Sequence, residues 1–245
     1  MLMRPMAGVK GPDCRYVRKA RCRGLGDNTF VAVNETKVTG RRERKRAWQG
    51  AIQDGDDQFA MKRQVVLRTA AQIFSRRGFH QTTLADIADE LHIAKPTLYH
   101  YFKSKDEILL EVQQAAIQQM LDAPIDPKAS GAEQIRVFFH RYVEMIVDDF
   151  GTCLIMTGVL PLELENRGLV RKGSKSIEII LRDMLRRGIA DGSIEPCDPK
   201  ISAKFMFGAL NWIPYWYTTD GELDVEALAD RAIEFVMRGL TKTPG

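Results

Sequence analysis

The chain has 245 residues, 44% of them hydrophobic, with 36 Lys and Arg against 32 Asp and Glu for a net charge of +4. That is material for one or two domains with a sizeable core, and no apolar run approaches the length that spans a bilayer. Four scattered cysteines without a C-x-x-C pair, and four histidines without a cluster, exclude a zinc site or a disulfide framework and leave no metal or cofactor to expect.

Residues 1–60 hold the basic run RRERKR at 41–46, several glycines, a short apolar stretch at 29–33 with no obvious partner strand, and a net charge of +6. They lack the continuous apolar stretch of a signal peptide, so a cytoplasmic protein is expected. We read this segment as a solvated tail or as the product of a start assigned upstream of Met61, which would stand directly before the first helix. A flexible basic arm that adds phosphate contacts is the alternative.

From residue 61 to about 108 the pattern is a small three-helix head. The first helix carries Ala70-Ala71 and Phe74 and leads to Gly78-Phe79. Thr83 and Asp86 form a capping box of the T-x-x-D type for a second helix, in which Leu84, Ile87, Ala88 and Leu91 recur at helical spacing. His92 and Ile93 break the pattern, and histidine tolerates a left-handed backbone better than most residues. A third helix starts near Lys95-Pro96, where proline sacrifices no intrahelical bond. It turns Leu98 and Phe102 inward and leaves Lys95, Thr97, Tyr99, His100 and Tyr101 on the remaining surface. A buried stripe with an outer face of hydrogen-bonding groups is what a helix needs to enter a DNA groove. Lys95, Lys105 and the Thr83 hydroxyl suit phosphates, while Thr97, Tyr99 and His100 suit base edges. Residues 61–110 carry +3 and residues 111–245 carry −5, a basic head on an acidic body.

The body, 109–245, is expected to be all-α. Ser104 with Glu107 caps a helix to about 121, and Ser130 with Glu133 caps another. Gly151 interrupts, and an apolar segment at 153–160 follows. A long helix is expected at 166–190, then one at 198–217 opened by Asp198-Pro199, and a last one at 224–240. Asn211, Trp212, Tyr215, Trp216 and Tyr217 cluster in the penultimate helix, where Pro214 should kink it and free a carbonyl. An aromatic and methionine-rich pocket with few polar groups suits a mostly apolar ligand, and Tyr142, Met145, Phe150 and Met156 are candidates for its other walls. Asp148-Asp149 and Glu163/Glu165 are the only basis for an enzyme reading, and without a phosphate loop, nucleophile motif or metal spacing none is expected.

Thr82-Thr83, Ile87-Ala88 and Thr97-Leu98-Tyr99-His100-Tyr101-Phe102 followed by Lys105 resemble the TetR family of bacterial transcriptional regulators, as does the upstream A-A-x-x-F-x-x-x-G-F pattern. His92 stands where the family usually has glycine, and Ala94 replaces the usual Ser or Thr cap. The resemblance implies DNA contacts at Thr82, Thr83, Lys95, Pro96, Thr97, Tyr99, His100, Tyr101, Lys103 and Lys105. It also implies a homodimer on a palindromic operator, paired through the last two helices with Phe205, Ile233, Phe235, Val236 and Leu240 as apolar contacts, and a small-molecule effector. The stretches G-x-x-D-G-S-I at 188–194 and G-A-x-N-W…W-Y at 208–217 are similar to the branch that responds to acyl-CoA thioesters. That branch implies a ligand anionic at one end, held by candidates among Arg171, Lys172, Lys175, Arg182, Arg186 and Arg187. The expected mechanism is repression relieved by ligand, with the helix at 104–121 as the only direct lever from body to head. The alternatives are a helical adaptor that docks on DNA without sequence preference and a regulator that senses a hydrophobic drug-like molecule.

Overall fold

The structure, a computed structural model, describes residues 55–241, so the basic run at 41–46, the stretch at 29–33, Cys14 and Cys22 lie outside it. The described residues form nine α-helices and no strand. These are α1 (Gly55–Arg77), α2 (Leu84–Leu91), α3 (Lys95–Tyr101), α4 (Lys105–Leu121), α5 (Gly131–Val147), α6 (Asp149–Thr157), α7 (Leu164–Ala190), α8 (Pro199–Leu210) and α9 (Val225–Arg238), with a 3-10 turn at Ile213–Tyr215.

Local chemistry sets most of the boundaries. Thr83, Ser104, Ser130, Asp198 and Asp224 each accept a backbone N–H of the first turn of the helix they precede, removing an otherwise unpaired donor. His92 ends α2 at φ 57°, ψ 41°, the one non-glycine residue at positive φ among those described.

Four expectations change. Helix α1 begins at Gly55, so Met61 lies inside it rather than before it, and Phe59 packs on Tyr101 with ring centroids 4.9 Å apart. Gly151 is no interruption: the break falls at Asp148, which caps α6 through the Phe150 amide. Gly151 sits inside α6 because that helix crosses α5 closely, and a Cβ there would stand 1.9 Å from the Met145 carbonyl oxygen. The expected helix at 198–217 stops at Leu210, because Pro214 has no N–H for the Leu210 carbonyl and the chain tightens into the 3-10 turn. The last helix ends at Arg238, with Leu240 folded back so that its carbonyl accepts the Glu195 amide at 2.8 Å.

One apolar core runs through the whole structure. Val66, Ala70, Ile73 and Phe74 of α1 meet Ile87, Leu91, Leu98 and Phe102 in the head, and α4 carries the core onward through Ile108, Leu109, Val112 and Ala116 to α5 and α7.

Candidate DNA-binding head and effector cavity

The head is braced from within by side chains that tie its helices together. Arg63 of α1 donates to the Tyr101 carbonyl at 3.0 Å, pairs with Glu111 of α4, and lies 4.2 Å over the Phe102 ring, so one guanidinium ties α1, the end of α3 and α4 together. Lys105 is used the same way: its ammonium donates to the Phe79 and Thr82 carbonyls at 2.8 and 2.9 Å and sits 4.2 Å over the Phe79 ring. Burial lowers its pKa from the ordinary lysine value. Thr82 is buried, and its hydroxyl donates to the Gly78 carbonyl at 2.9 Å. The Thr83 hydroxyl gives its proton to Asp86 at 2.6 Å while accepting the Asp86 amide. The bond from the Thr83 hydroxyl, with one from the Thr83 amide, holds the Asp86 carboxyl below its usual range. Four residues named from sequence for DNA contact therefore serve the scaffold: Thr82, Thr83, Lys105 and, through its ring on Phe59, Tyr101. Lys95, Pro96, Tyr99, His100 and Lys103 are exposed and Thr97 is half-buried on α3. The Ala94 cap leaves the first turn of α3 without a side-chain partner.

In the body, a cavity of about 820 Å³ lies between α5, α6, α7, α8 and the 3-10 turn. Of the side chains named from sequence for the ligand, Tyr142, Met145, Asn211, Trp212 and Tyr215 line it. Trp212 and Tyr215 stack at 4.8 Å and are both more than half exposed, so they form its rim rather than a buried wall. Phe150 instead packs under Arg68, Met156 is partly exposed, Trp216 is exposed, and Arg186 pairs with Asp183. Sequence reasoning did not single out Phe207, Gly158, Glu178 or Lys204, which also line the cavity. Phe207 and Lys204 carried a signal in their spacing from Asn211 on α8; Glu178 carried none.

Two polar features stand in this apolar wall. The buried Tyr142 hydroxyl donates to the Asn211 side-chain carbonyl at 2.6 Å, and burial pushes its pKa well above the ordinary tyrosine range. At the opposite side Glu178 faces Lys175 at 2.8 Å, Lys204 at 3.5 Å and Arg182 at 3.7 Å. The Lys175 hydrogen bond leads in holding the Glu178 carboxyl below its usual range. Three cations on one carboxylate leave a local surplus of positive charge beside the cavity. The buried Nε of Arg182 has no hydrogen-bond partner.

Cavity and head share an element. Helix α6 contributes Leu154 and Ile155 to the cavity, and its first turn grips α1: Arg68 donates to Asp148 and Asp149 at 2.9 and 3.0 Å, and Gln72 donates to Asp149 at 3.0 Å. Of the carboxylates considered from sequence for catalysis, Asp148 caps α6 and both Asp148 and Asp149 pair with Arg68, while Glu163 precedes α7 without a side-chain cap bond. Past α6, Gly158 adopts φ 58°, ψ −162°, a conformation open essentially to glycine alone. Its carbonyl accepts at 2.7 Å from the amide of Gln113, a fully buried residue of α4. Thus α4, which follows directly from α3, touches the cavity wall through Gln113, and α1 touches it through α6. The helix at 104–121 is not the only lever. Cys153, buried in α6, has its thiol pushed up to about 12 by burial, which removes the thiolate that redox chemistry needs.

Comparison with known proteins matches this architecture along most of its length. The family described as bacterial regulatory proteins, tetR family, matches residues 66–112, and the tetracyclin repressor-like C-terminal domain matches residues 128–240. The chain belongs to the TetR family. Regulators of this family bind operator DNA and act as dimers, and the chain is accordingly a DNA-binding transcriptional regulator rather than an enzyme. Among its relatives, the HTH-type transcriptional repressor KstR2 of Mycolicibacterium smegmatis is 28% identical over 205 residues, 78% of this chain and 97% of the relative. The fatty acid metabolism regulator protein of Bacillus subtilis is 24% identical over 181 residues, 71% of this chain and 93% of the relative. AibR, solved in complex with isovaleryl coenzyme A and operator DNA, shares the fold with a TM-score of 0.61 at 22% identity, over 71% of this chain and 96% of that one. No described helix of this TetR-family chain is long and apolar enough to cross a membrane.

Proposed function

We propose that this regulator is a cytoplasmic repressor that leaves a palindromic operator when an acyl-CoA thioester enters the cavity between α5, α6, α7 and α8. The observation that carries the proposal is that α6 both lines the cavity and grips α1 of the head. A ligand that displaces α6 therefore acts on the DNA-binding unit without any further intermediary. The cavity is chemically divided as such a ligand requires: Met145, Leu154, Ile155 and Phe207 offer apolar surface, the Tyr142–Asn211 pair offers hydrogen bonding, and Lys204 on the lining, with Lys175 and Arg182 paired to Glu178 beside it, offers positive charge. Guanidinium and ammonium groups suit phosphates. A relative named for regulating fatty acid metabolism, and AibR with isovaleryl coenzyme A bound, support the same reading.

On the DNA side, residues 61–108 are the head and 109–245 the body. Lys95 and Lys103 take phosphates, and Thr97, Tyr99 and His100 read base edges from the exposed side of α3. Two copies pair through an exposed apolar surface made by Ile201 and Phe205 of α8, 48% and 75% accessible, and Trp212 just past its end at 63%, together with Phe235 of α9 at 71%. Ile233, Val236 and Leu240, also named from sequence for pairing, are buried within their own chain. Pairing places two recognition helices about 34–36 Å apart, one turn of DNA, and ligand-driven movement of α4 and α1 breaks that match.

The test is binding of the full chain to the promoter duplex next to its own gene, titrated with acyl-CoA thioesters and with their free acids. Release by the thioester and not by the acid supports the proposal. Sequence-specific binding that no thioester disturbs sinks the effector assignment, and binding without sequence preference sinks the repressor one.

A further inference from the structure

A second cavity, of about 350 Å³, lies under the loop that joins α4 to α5. Its lining is largely apolar, with Met120, Phe138 and Ile180 inside and Pro124, Ile125 and Val137 at its open lip. The loop above it is pinned: Gln134 donates to the Asp126 carbonyl at 2.7 Å and Arg141 to the Pro124 carbonyl at 2.8 Å. This space is built on the same two helices as the effector cavity, one turn farther along each. Phe138 precedes Tyr142 by one turn of α5, and Ile180 follows Ile177 by one turn of α7; Tyr142 and Ile177 line the larger cavity.

The Phe138 side chain touches both linings. It is buried, it faces the smaller cavity, and its ring packs on two rings that line the larger one. The Tyr142 ring is stacked on it at 6.2 Å and 7°, and the Phe207 ring meets it edge-on at 6.3 Å. An apolar chain that enters beside Tyr142 and Phe207 thus runs into Phe138, with a further apolar chamber behind it.

The geometry points to Phe138 as the residue that sets the upper chain length of the effector, a partition that closes the smaller chamber to the acyl tail. This rests on the acyl-chain reading of the larger cavity. Shortening the side chain joins the two chambers into one apolar channel. Longer tails then gain surface to bury, while shorter tails, which never reach the partition, are unaffected.

The experiment uses the full chain with two probe series. Saturated acyl-CoA thioesters from butyryl to palmitoyl are scored by release of the operator duplex, and the matching straight-chain primary alcohols by calorimetric binding. Phe138→Ala is expected to bind the first chains beyond the wild-type cut-off about tenfold more tightly or better, a gain of roughly 1.4 kcal/mol by that conversion, with shorter chains within about threefold of wild type. Adding Ile180→Trp, which fills the smaller chamber, should remove the gain. Wild-type helicity and operator affinity establish that each variant is folded, and Phe138→Leu takes the place of the alanine variant if that one is not. A cut-off that is the same in wild type and folded variant overturns the proposal, as does a gain that survives Ile180→Trp or the absence of binding by both series. Thioesters that bind neither protein, with alcohols that show the shift, refute the acyl-CoA reading and leave the partition standing.

Discussion

Replacing Gln113 with methionine should separate what holds this fold together from what lets its two sites communicate. Gln113 is fully buried in α4, and its amide nitrogen donates to the Thr157 hydroxyl at 2.9 Å and to the Gly158 carbonyl at 2.7 Å. Both partners lie at the end of α6, and Gly158 lines the effector cavity. The side-chain oxygen, by contrast, is buried without a partner. Methionine is close in volume, so no cavity opens. It strands the Gly158 carbonyl, a loss of about 1–3 kcal/mol, but it also removes the orphaned oxygen, whose burial has a similar cost. The Thr157 hydroxyl still donates to the Cys153 carbonyl. The two effects nearly cancel, and with about 2–4 °C per kcal/mol for a chain of this size the melting temperature should move by no more than about 4 °C. Coupling should fall much further. Whole allosteric couplings are typically about 1–3 kcal/mol, so losing one of the two routes should remove about 1 kcal/mol and reduce the effector-induced drop in operator affinity about fivefold. Fluorescence anisotropy of an operator duplex, with and without saturating effector, reads this directly. An unchanged ratio would refute the role of Gln113 in coupling, and a fall in melting temperature of about 10 °C or more would show that the amide is chiefly structural.

On the DNA face, Lys95→Ala should weaken binding to every duplex and reduce the salt slope by about one, whereas Thr97→Ala and His100→Ala should relax preference between sequences; competition with unrelated duplex distinguishes the two classes. Phe205→Arg, at a side chain 75% exposed in the single chain, should leave the melting curve of the fold unchanged but shift sedimentation from dimer to monomer and abolish tight operator binding. Tyr142→Phe should cost about 1–2 kcal/mol by chemical denaturation, because the Asn211 carbonyl loses its buried donor, and should weaken effector binding with it. The capping-box carboxyl of Asp86 is held below its usual range in the fold, so the unfolded chain binds that proton more readily. Its contribution is therefore complete above the ordinary carboxylate range and is lost as pH falls through the lowered folded value. Asp86→Asn should be less stable than wild type at neutral pH, with the gap closing in strong acid.

The head was legible in the sequence because short-range chemistry determines it. Thr83 with Asp86, Ser104 with Glu107 and Ser130 with Glu133 each fix a helix start within four residues; the first and third are reciprocal capping boxes, whereas the Glu107 carboxylate accepts the Lys103 amide rather than that of Ser104. The left-handed His92 followed from the interruption of a clear periodicity. Where reasoning depended on contacts distant along the chain it lost resolution. Gly151 gave the signal of a helix break, although its reason is the close passage of α5, and Pro214 ended a helix that was expected only to bend. Lys105 and Thr82 have the residue types of phosphate ligands, and only tertiary geometry shows their polar groups spent on carbonyls of the head itself. The charged cluster at Glu178 and the α1–α6 grip combine residues from separate helices, a juxtaposition that periodicity cannot express.

The most direct test of a shared element between cavity and head is reciprocity. Coupling between two binding sites must be equal in both directions. Calorimetry of the acyl-CoA thioester with the full chain, alone and saturated with operator duplex, measures one direction, and operator affinity with and without thioester measures the other. Transmission through α6 and Gln113 predicts that operator weakens thioester binding by the same factor, about 5–150-fold, by which thioester weakens operator binding. Thioester affinity that is identical with and without operator would contradict it.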